Sequence, residues 1–444
     1  MEVNVMKAKV YWFDARAPPS YVEKGQRLFE EAGLAECFNK GDSVAIKAHC
    51  GDWNNTGYLR PNIVAGIVEM VKEYGGEPFV CDTTTLYWRT RITEQDLLKT
   101  AARNGYTEAT LGCPFIVADG DIGLNDVKVD VDGNFFRSTY IARSIANADA
   151  MIALSHFKGH GMGSFGGAIK NLGIGCCSKR GKVVTHLMLH PTLGLGSWEF
   201  HPEKCVGKEC PVYQRCTEDC PVDAFWLTEE KPYAHRDLEK CMGCIDCGMR
   251  RGCGVLVRPL GHEQIYPAAF ADSARAVLNV LGEEHVGFIN YAIDISPECD
   301  CAGHSDNWIL PNLGIFASKD MVAIDKACLD MVDESPAVPN SRPFDEGKPG
   351  EPWMAGHEKF TNIHAVVISQ WSQINAAVRV GCGSLDYELV EASPAPSLRF
   401  MMPKFRNHYP GYWDRRKFRL QSLRPDPSCY REPRMTVEEL IKKP

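Results

Sequence analysis

At 444 residues, with 44% apolar and 24% charged residues, the chain has the composition of a globular protein with room for two or three domains and a large core. Its formal net charge of −8 is uneven: residues 399–444 hold twelve Lys/Arg against five Asp/Glu, a net of +7 that leaves −15 on residues 1–398. No run of about eighteen apolar residues occurs, and the start "MEVNVMKAKVYWFD" lacks the basic and apolar regions of an export signal, so a cytoplasmic protein without membrane contact is expected.

In chain order, "SVAIKAHC" (43–50) is a short apolar run with β-branched residues and predicts a buried strand. "NIVAGIVEMVKEYGG" (62–76) sets Ile63, Ile67, Val71 and Tyr74 on one helical face and ends on a glycine pair suited to a C-cap. "EPFVCDT" predicts a strand, and "TEQDLLKTAARNGY" (93–106) a helix with Thr93 as N-cap. "STYIARSIANADA" leads into a strand at "MIALSHF" (151–157). After a cysteine-rich stretch, "AAFADSARAVLNVLG" predicts a helix, "VGFINYAIDIS" a strand and "KDMVAIDKACLDMV" a helix. Strands alternating with helices of ten or more residues imply βαβ units, hence an α/β fold with a largely parallel sheet covered on both faces.

The chain has nineteen cysteines, and eight of them fall in two runs. In a reducing compartment such density argues for metal ligands or reactive thiols rather than disulfides. "CVGKECPVYQRCTEDCP" carries Cys205, Cys210, Cys216 and Cys220, and "CMGCIDCGMRRGC" carries Cys241, Cys244, Cys247 and Cys253. Three close thiolates can hold three corners of an iron–sulfur cubane, while the fourth cysteine of each run ligates the other cluster. That rule assigns Cys205, Cys210, Cys216 and Cys253 to one [4Fe–4S] cluster and Cys241, Cys244, Cys247 and Cys220 to a second. A pair of zinc sites, or one cluster beside another metal, is the alternative, although zinc usually takes its thiolates as two separated pairs. The expected organisation is an α/β core over 1–200 and 256–390, a two-cluster ferredoxin-like insert over 201–255, and a basic arm over 391–444.

The densest polar motif outside the cysteines is "SHFKGHGMGSFGGAIKNLGIGCCSKRGK" (155–182), which follows a strand and so belongs at the sheet edge where α/β folds bind ligands. Gly161, Gly163, Gly166 and Gly167 lie in or beside a G-x-G-x-x-G pattern, but residues 181–197 lack the acidic residue that a dinucleotide's ribose requires. The glycines are read instead as exposing backbone N–H groups, with Lys158, Lys170 and Lys182 adding charge for a phosphate or carboxylate. A tight structural turn with solvated lysines is the bland alternative. His160 and His186 flank the loop as candidate proton carriers. In "SPECDCAGHSD", Cys299 and Cys301 point to one side if the backbone is extended, which suits metal binding, a redox-active disulfide or sulfur delivery; His304 could join them. Buried, inert thiols are the alternative there. Asp82 and the run "TTTLYWRTR" are expected at the same edge of the sheet, and the adjacent Cys176 and Cys177 diverge.

The blocks "VAIKAHCGDWNNTGYLRP", "VCDTTTLYWRTR", "SHFKGHGMGSFGGAIKNLGIGC" and "CDCAGHSDNWILPNLGIFASKDMVAIDKA" resemble, in this order, those of the DUF362 family, from about residue 40 to 335. The resemblance implies an α/β core with two [4Fe–4S] clusters and an anaerobic redox setting, and no settled reaction. In the first block this chain has Cys50 before "GD" where an aromatic before "GE" is expected. Three functions follow as expectations. The first is an iron–sulfur oxidoreductase that passes electrons to a small anionic substrate or a flavin at residues 155–182 and 296–306. The second is a ferredoxin-type electron carrier that docks a redox partner protein. The third is a sulfur-transfer or metallocofactor maturation factor working through Cys299 and Cys301. The tail, "FMMPKFRNHYPGYWDRRKFRLQSLRPDP", interleaves aromatics with basic residues as a single-strand binder does, but the acidic body would repel nucleic acid. An arm wrapping its own body or a neighbouring copy in a homo-oligomer is expected.

Overall fold

In a computed structural model, the structure describes residues 7–392 except 17, 214–215, 217–219, 221, 245–246, 248–252, 260 and 365. The basic arm therefore lies outside the described residues, apart from its first two positions.

Eight strands form one sheet: β1 (Ala8–Asp14), β2 (Ser43–Lys47), β3 (Glu77–Asp82), β4 (Phe115–Val117), β5 (Ala150–His156), β6 (Val286–Ala292), β7 (Gly314–Ser318) and β8 (Tyr387–Glu391). Their spatial order is β8-β1-β7-β6-β5-β2-β3-β4. Only β7 runs against its neighbours; every other pairing is parallel. The expected largely parallel α/β sheet is present. At its centre β5 and β6 are buried at every position. This is why both read as unbroken apolar runs rather than alternating ones.

Helices cover both faces, and strand residues divide between them with period two. Val44, Ile46, Ile152, Leu154 and Ile289 join the core under α1 (Tyr21–Glu31), α2 (Pro61–Glu73) and α3 (Glu94–Arg103). Ala45, Met151, Ala153 and Phe288 face the other core. That core is covered by α4 (Ala168–Gly173), α6 (His262–Leu281), α7 (Met321–Glu334) and α8 (Trp371–Arg379), and α5 (Lys179–Thr185) lies against α6. Opposite faces of one pleat thus feed two cores.

Most predicted elements fall where the pattern put them, and the exceptions have local causes. The Thr93 hydroxyl accepts the Asp96 amide as the N-cap of α3. In α2, Ile63, Ile67 and Val71 are buried as expected, but Tyr74 is 45% exposed. The helix stops at Glu73 and Gly75 takes the left-handed φ of +89° that ends it; Tyr74, at the C-cap position, packs its ring on Phe29 with centroids 5.9 Å apart and leaves the rest in solvent. Helix α6 begins six residues before the expected Ala268 and runs through Pro267, a residue that ordinarily ends a helix. Tyr266, Pro267 and the positions after it are packed into the core, so tertiary burial overrides the local signal.

Residues 199–257 leave the α/β pattern and carry two small antiparallel sheets, Glu199–Phe200 with Leu256–Val257 and Phe225–Leu227 with Ala234–Arg236. Phe225, Ala234 and Val255 form a small apolar cluster against which Cys205, Cys216, Cys220 and Cys247 pack. Cys241 and Cys247 pack against a second cluster of Met188, Leu195 and Trp198. Among the described residues no helix is long and apolar enough to cross a membrane.

Candidate functional site

The carboxyl ends of β2, β3 and β5 deliver Lys47, Asp82 and His156 to one edge of the sheet, the position at which open α/β sheets take ligands. Just past β5 the chain turns into a hairpin, Lys158–His160 paired with Ser164–Gly166, and then enters α4. The loop after β6 brings Glu298, Cys299 and Cys301 to the same place. Together they line a cavity of about 950 Å³, near the upper end of the range for small-molecule sites.

A buried ionic network forms the floor. Lys47 Nζ lies 3.0 Å from Asp82 Oδ1, and Arg91 reaches Asp52 at 3.3 Å and Asp82 at 3.8 Å. Lys158 Nζ is 3.5 Å from Asp300, whose other oxygen meets His156 Nδ1 at 2.8 Å. Burial alone would raise the Asp82 carboxyl, but Lys47, His49 and Arg91 outweigh it and hold the group far below the usual carboxylate range. Burial and then the Arg91 charge push His49 down to about 4, so its ring is neutral. Burial also lowers Lys182, which donates to Thr83 Oγ1 at 2.7 Å and to the Cys177 carbonyl at 2.6 Å. On the cavity floor Lys47, Arg91 and Lys158 each have a carboxylate partner. Lys170 and Lys182 have none within ion-pair distance among the described residues, so their charge is open to an anion.

Lys170 instead faces sulfur: its Nζ is 3.6 Å from Cys299 Sγ. The Cys301 amide donates to the same sulfur at 3.3 Å. Burial raises the Cys299 thiol, but the hydrogen bond from Cys301 and the charges of Lys170 and Lys158 prevail and place it well below the ordinary thiol range. Cys301, as the donor in that pair, is driven the other way. The Cys301 carbonyl accepts from Tyr87 Oη at 3.3 Å, and Tyr87 in turn accepts from Arg91 at 2.7 Å. His160, buried beside the pair, has Nε2 4.0 Å from Cys301 Sγ, while its Nδ1 accepts the Met162 amide at 3.2 Å. The chemistry available here is that of an activated thiolate with a resolving thiol, flanked by cations.

Lys158, His160, Lys170, Lys182, His186, Asp82, Gly161, Gly166, Gly167, Cys299 and Cys301 all line the cavity. The pair at Cys299 and Cys301 converges although the segment is a turn rather than a strand. His304 does not join it: the ring lies on an exposed residue, and its carbonyl accepts from Asn55. His160 from the glycine hairpin takes that place. His186 is tied up, its Nδ1 donating to the Lys182 carbonyl at 2.6 Å and its Nε2 accepting from Tyr266 Oη at 2.8 Å. The glycine-rich segment presents little free backbone. The Ala168 and Ile169 amides at the start of α4 donate to Asp325 at 2.7 and 2.9 Å, so the anion held there is the chain's own. A Cβ at Gly167 would strike that carboxylate. Gly163 packs against Phe270, and among the four glycines it alone does not line the cavity. Cys176 and Cys177 are buried away from the cavity, with thiols raised by burial.

Sequence reasoning missed Lys47, His49, Asp300 and Asp325, whereas Arg91 ends the run "TTTLYWRTR" expected at this edge, and Thr83, Thr85, Arg89 and Arg91 of that run line the cavity. The signal for Lys47 and Asp325 was there: a charge set inside the apolar runs "VAIKA" and "MVAID" has to find a buried partner.

An α/β protein with a cationic, thiol-bearing cavity at the carboxyl edge of its sheet is the class that this geometry defines. Residues 44–330 match the model of the domain of unknown function DUF362, and the chain belongs to that family. A curated relative, a thylakoid-associated protein of Synechocystis sp., is 25% identical over 160 residues, covering 35% of this chain and 45% of the relative. The chain thus matches less than half the length of that relative. Among solved structures, the lactate racemase apoprotein of Thermoanaerobacterium thermosaccharolyticum superposes with a TM-score of 0.34 at 13% identity, over 64% of this chain and 50% of that one. A likeness of that degree carries no argument about this chain.

Proposed function

We propose that the chain is an iron–sulfur oxidoreductase acting on a small anionic substrate, or through a flavin, in the cavity at the sheet edge. One juxtaposition supports this reading. Cys205, Cys210, Cys216 and Cys253, the thiols assigned to one cluster, line the same cavity as Lys170, His160, Cys299 and Cys301. Residues 201–255 would be the two-cluster module, with Cys241, Cys244, Cys247 and Cys220 holding the second cubane. The surroundings suit such groups: Cys247 packs against both small apolar clusters of the segment, and Arg236 lies close enough to Cys241 and Cys247 to feel their charge. Bound there, the clusters would supply electrons one at a time at a potential set by burial and hydrogen bonding. The chain's own part is to attract an anion to Lys170 and Lys182, hold it beside Cys299, and keep the floor rigid through the Lys47, Asp82 and Arg91 network.

Iron and acid-labile sulfide analysis of anaerobically prepared protein tests the reading. About eight of each per chain are expected for two cubanes, and a colourless, zinc-loaded protein that resists reconstitution would refute it. Lys170→Ala separates enzyme from carrier: weakened ligand binding at constant iron supports the enzyme, whereas a change confined to partner docking supports the carrier. The activated Cys299 also favours a second reading, sulfur transfer, in which it carries a persulfide. Intact-protein mass spectrometry after incubation with thiosulfate, whose outer sulfur the Cys299 thiolate would take as sulfite leaves, would then find one added sulfur atom that Cys299→Ser lacks.

A further inference from the structure

We propose that His160, Cys299 and Cys301 form a mononuclear site for a soft or borderline transition-metal ion such as zinc, separate from the eight cysteines of residues 205–253. The three donor atoms all lie within 4.8 Å of one another, and this is the one group of three or more metal-ligating side chains so gathered among the described residues. Cys301 Sγ and His160 Nε2 are 4.0 Å apart. Metal–sulfur and metal–nitrogen bonds of about 2.3 and 2.0 Å in a tetrahedron put ligand atoms roughly 3.5–4 Å apart. The site thus needs small side-chain adjustments and no rearrangement of the fold. Two thiolates and an imidazole suit zinc and neighbouring ions rather than magnesium or calcium.

Both carrying segments are anchored. The Gly159 amide bonds the Ser296 carbonyl at 2.9 Å, tying the hairpin to the thiol loop. The Ser296 hydroxyl bonds the Glu298 carbonyl at 2.7 Å, and Tyr87 holds the Cys301 carbonyl. Asp300, between the two thiols in sequence, is fixed by His156 and Lys158. His160 is 8% exposed and Cys299 3%, so the donors are largely withdrawn from bulk water, yet all three residues line the cavity. A fourth vertex facing that cavity can take water or a donor atom of a substrate, the arrangement of zinc sites that act on ligands rather than merely brace a fold. Binding through Nε2 turns Nδ1 of His160 into a donor, so the Met162 amide must release it. Gly161 and Met162 are half-buried, so the adjustment falls on these two while Gly163 stays buried and bonded to Gln373. Lys170 remains beside Cys299 and draws an anionic ligand towards the open vertex.

The proposal stands whether or not residues 201–255 carry clusters, and its test keeps the two apart. Full-length protein, reduced, anaerobic and loaded with iron and sulfide, is dialysed against zinc alone, then examined by metal analysis and zinc-edge X-ray absorption. The expected result is a zinc with two sulfur and one nitrogen ligands from protein. The Cys299→Ser/Cys301→Ser double variant should hold one zinc fewer with its iron unchanged, and His160→Ala should bind more weakly than the roughly 10- to 100-fold loss typical of removing an outer hydrogen-bond partner. Lys170→Ala should keep the zinc. Equal zinc in wild type and double variant, or a four-sulfur zinc in wild type that holds its full iron, would overturn the assignment. The wild-type spectrum decides the ligand set even if a variant fails to fold. If no iron binds in any sample, the zinc difference between wild type and double variant still reads the site.

Discussion

Asp325 offers the sharpest check on how the glycine hairpin is held. It is fully buried and accepts the Ala168 and Ile169 amides and the Asn290 side-chain amide, the last at 2.7 Å. Burial raises its carboxyl to about 6 from the ordinary 3.8, against the pull of those three donors. The sign follows directly: a proton held more tightly in the folded chain gives stability fully present below about pH 4 and lost as pH rises through about 6. The gap corresponds to about 3 kcal/mol in all, of which about 2 falls between pH ~4.5 and ~7.5. Asp325→Ala strands three buried donors at roughly 1–3 kcal/mol each but also removes the carboxyl's pH dependence. The substitution should therefore cost about 2 kcal/mol more at pH ~4.5 than at pH ~7.5. Urea denaturation followed by tryptophan fluorescence, with metal content held constant, measures both. A cost equal at the two pH values, or larger at the higher one, would refute the account of Asp325 as a buried carboxyl poised to titrate.

Cys299 should be alkylated by iodoacetamide near neutral pH well before Cys301, because its thiol is lowered and its neighbour's raised; peptide mass spectrometry of briefly treated protein reads the order. Lys170→Met should slow that reaction and weaken binding of a small carboxylate or phosphate by about 10-fold or more, the loss of one charge-assisted contact, as isothermal titration would measure. Cys244→Ser should remove about half of the bound iron and destabilise residues 199–257, since metal binding and local folding are linked; unchanged iron would remove Cys244 from the ligand set.

The sheet and most helices were legible because period and burial agree there: β5 and β6 are apolar throughout and buried throughout. The site was legible in part. The glycine-lysine stretch and the thiol pair announced themselves by composition, and the structure brings them together. Lys47 did not announce itself as the partner of Asp82 and Arg91, because it sits in a different block, 35 and 44 positions before them in the numbering. Only the parallel pairing of β2 with β3 sets the first two side by side. A glycine-rich pattern marks close backbone approach, and at Gly163 and Gly167 the approaching groups are the Phe270 ring and the Asp325 carboxylate.

The charges on the cavity floor argue for function on grounds of stability alone. Ion pairs as buried as Lys47–Asp82 and Arg91–Asp52 roughly break even against apolar residues of similar volume, since desolvation offsets attraction. A chain selected only to fold has little to gain from several of them at one sheet edge. What they do provide is a fixed array beside two lysines without a carboxylate at ion-pair distance among the described residues, Lys170 facing Cys299 and Lys182 bonded to Thr83 and the Cys177 carbonyl. Such fixed charges act more strongly in a shielded cavity than in water and need no reorganisation when charge develops on a bound group. Cys205, Cys210, Cys216, Cys247 and Cys253 line that same cavity, so a redox group held by them, as proposed, would meet its substrate without crossing the fold.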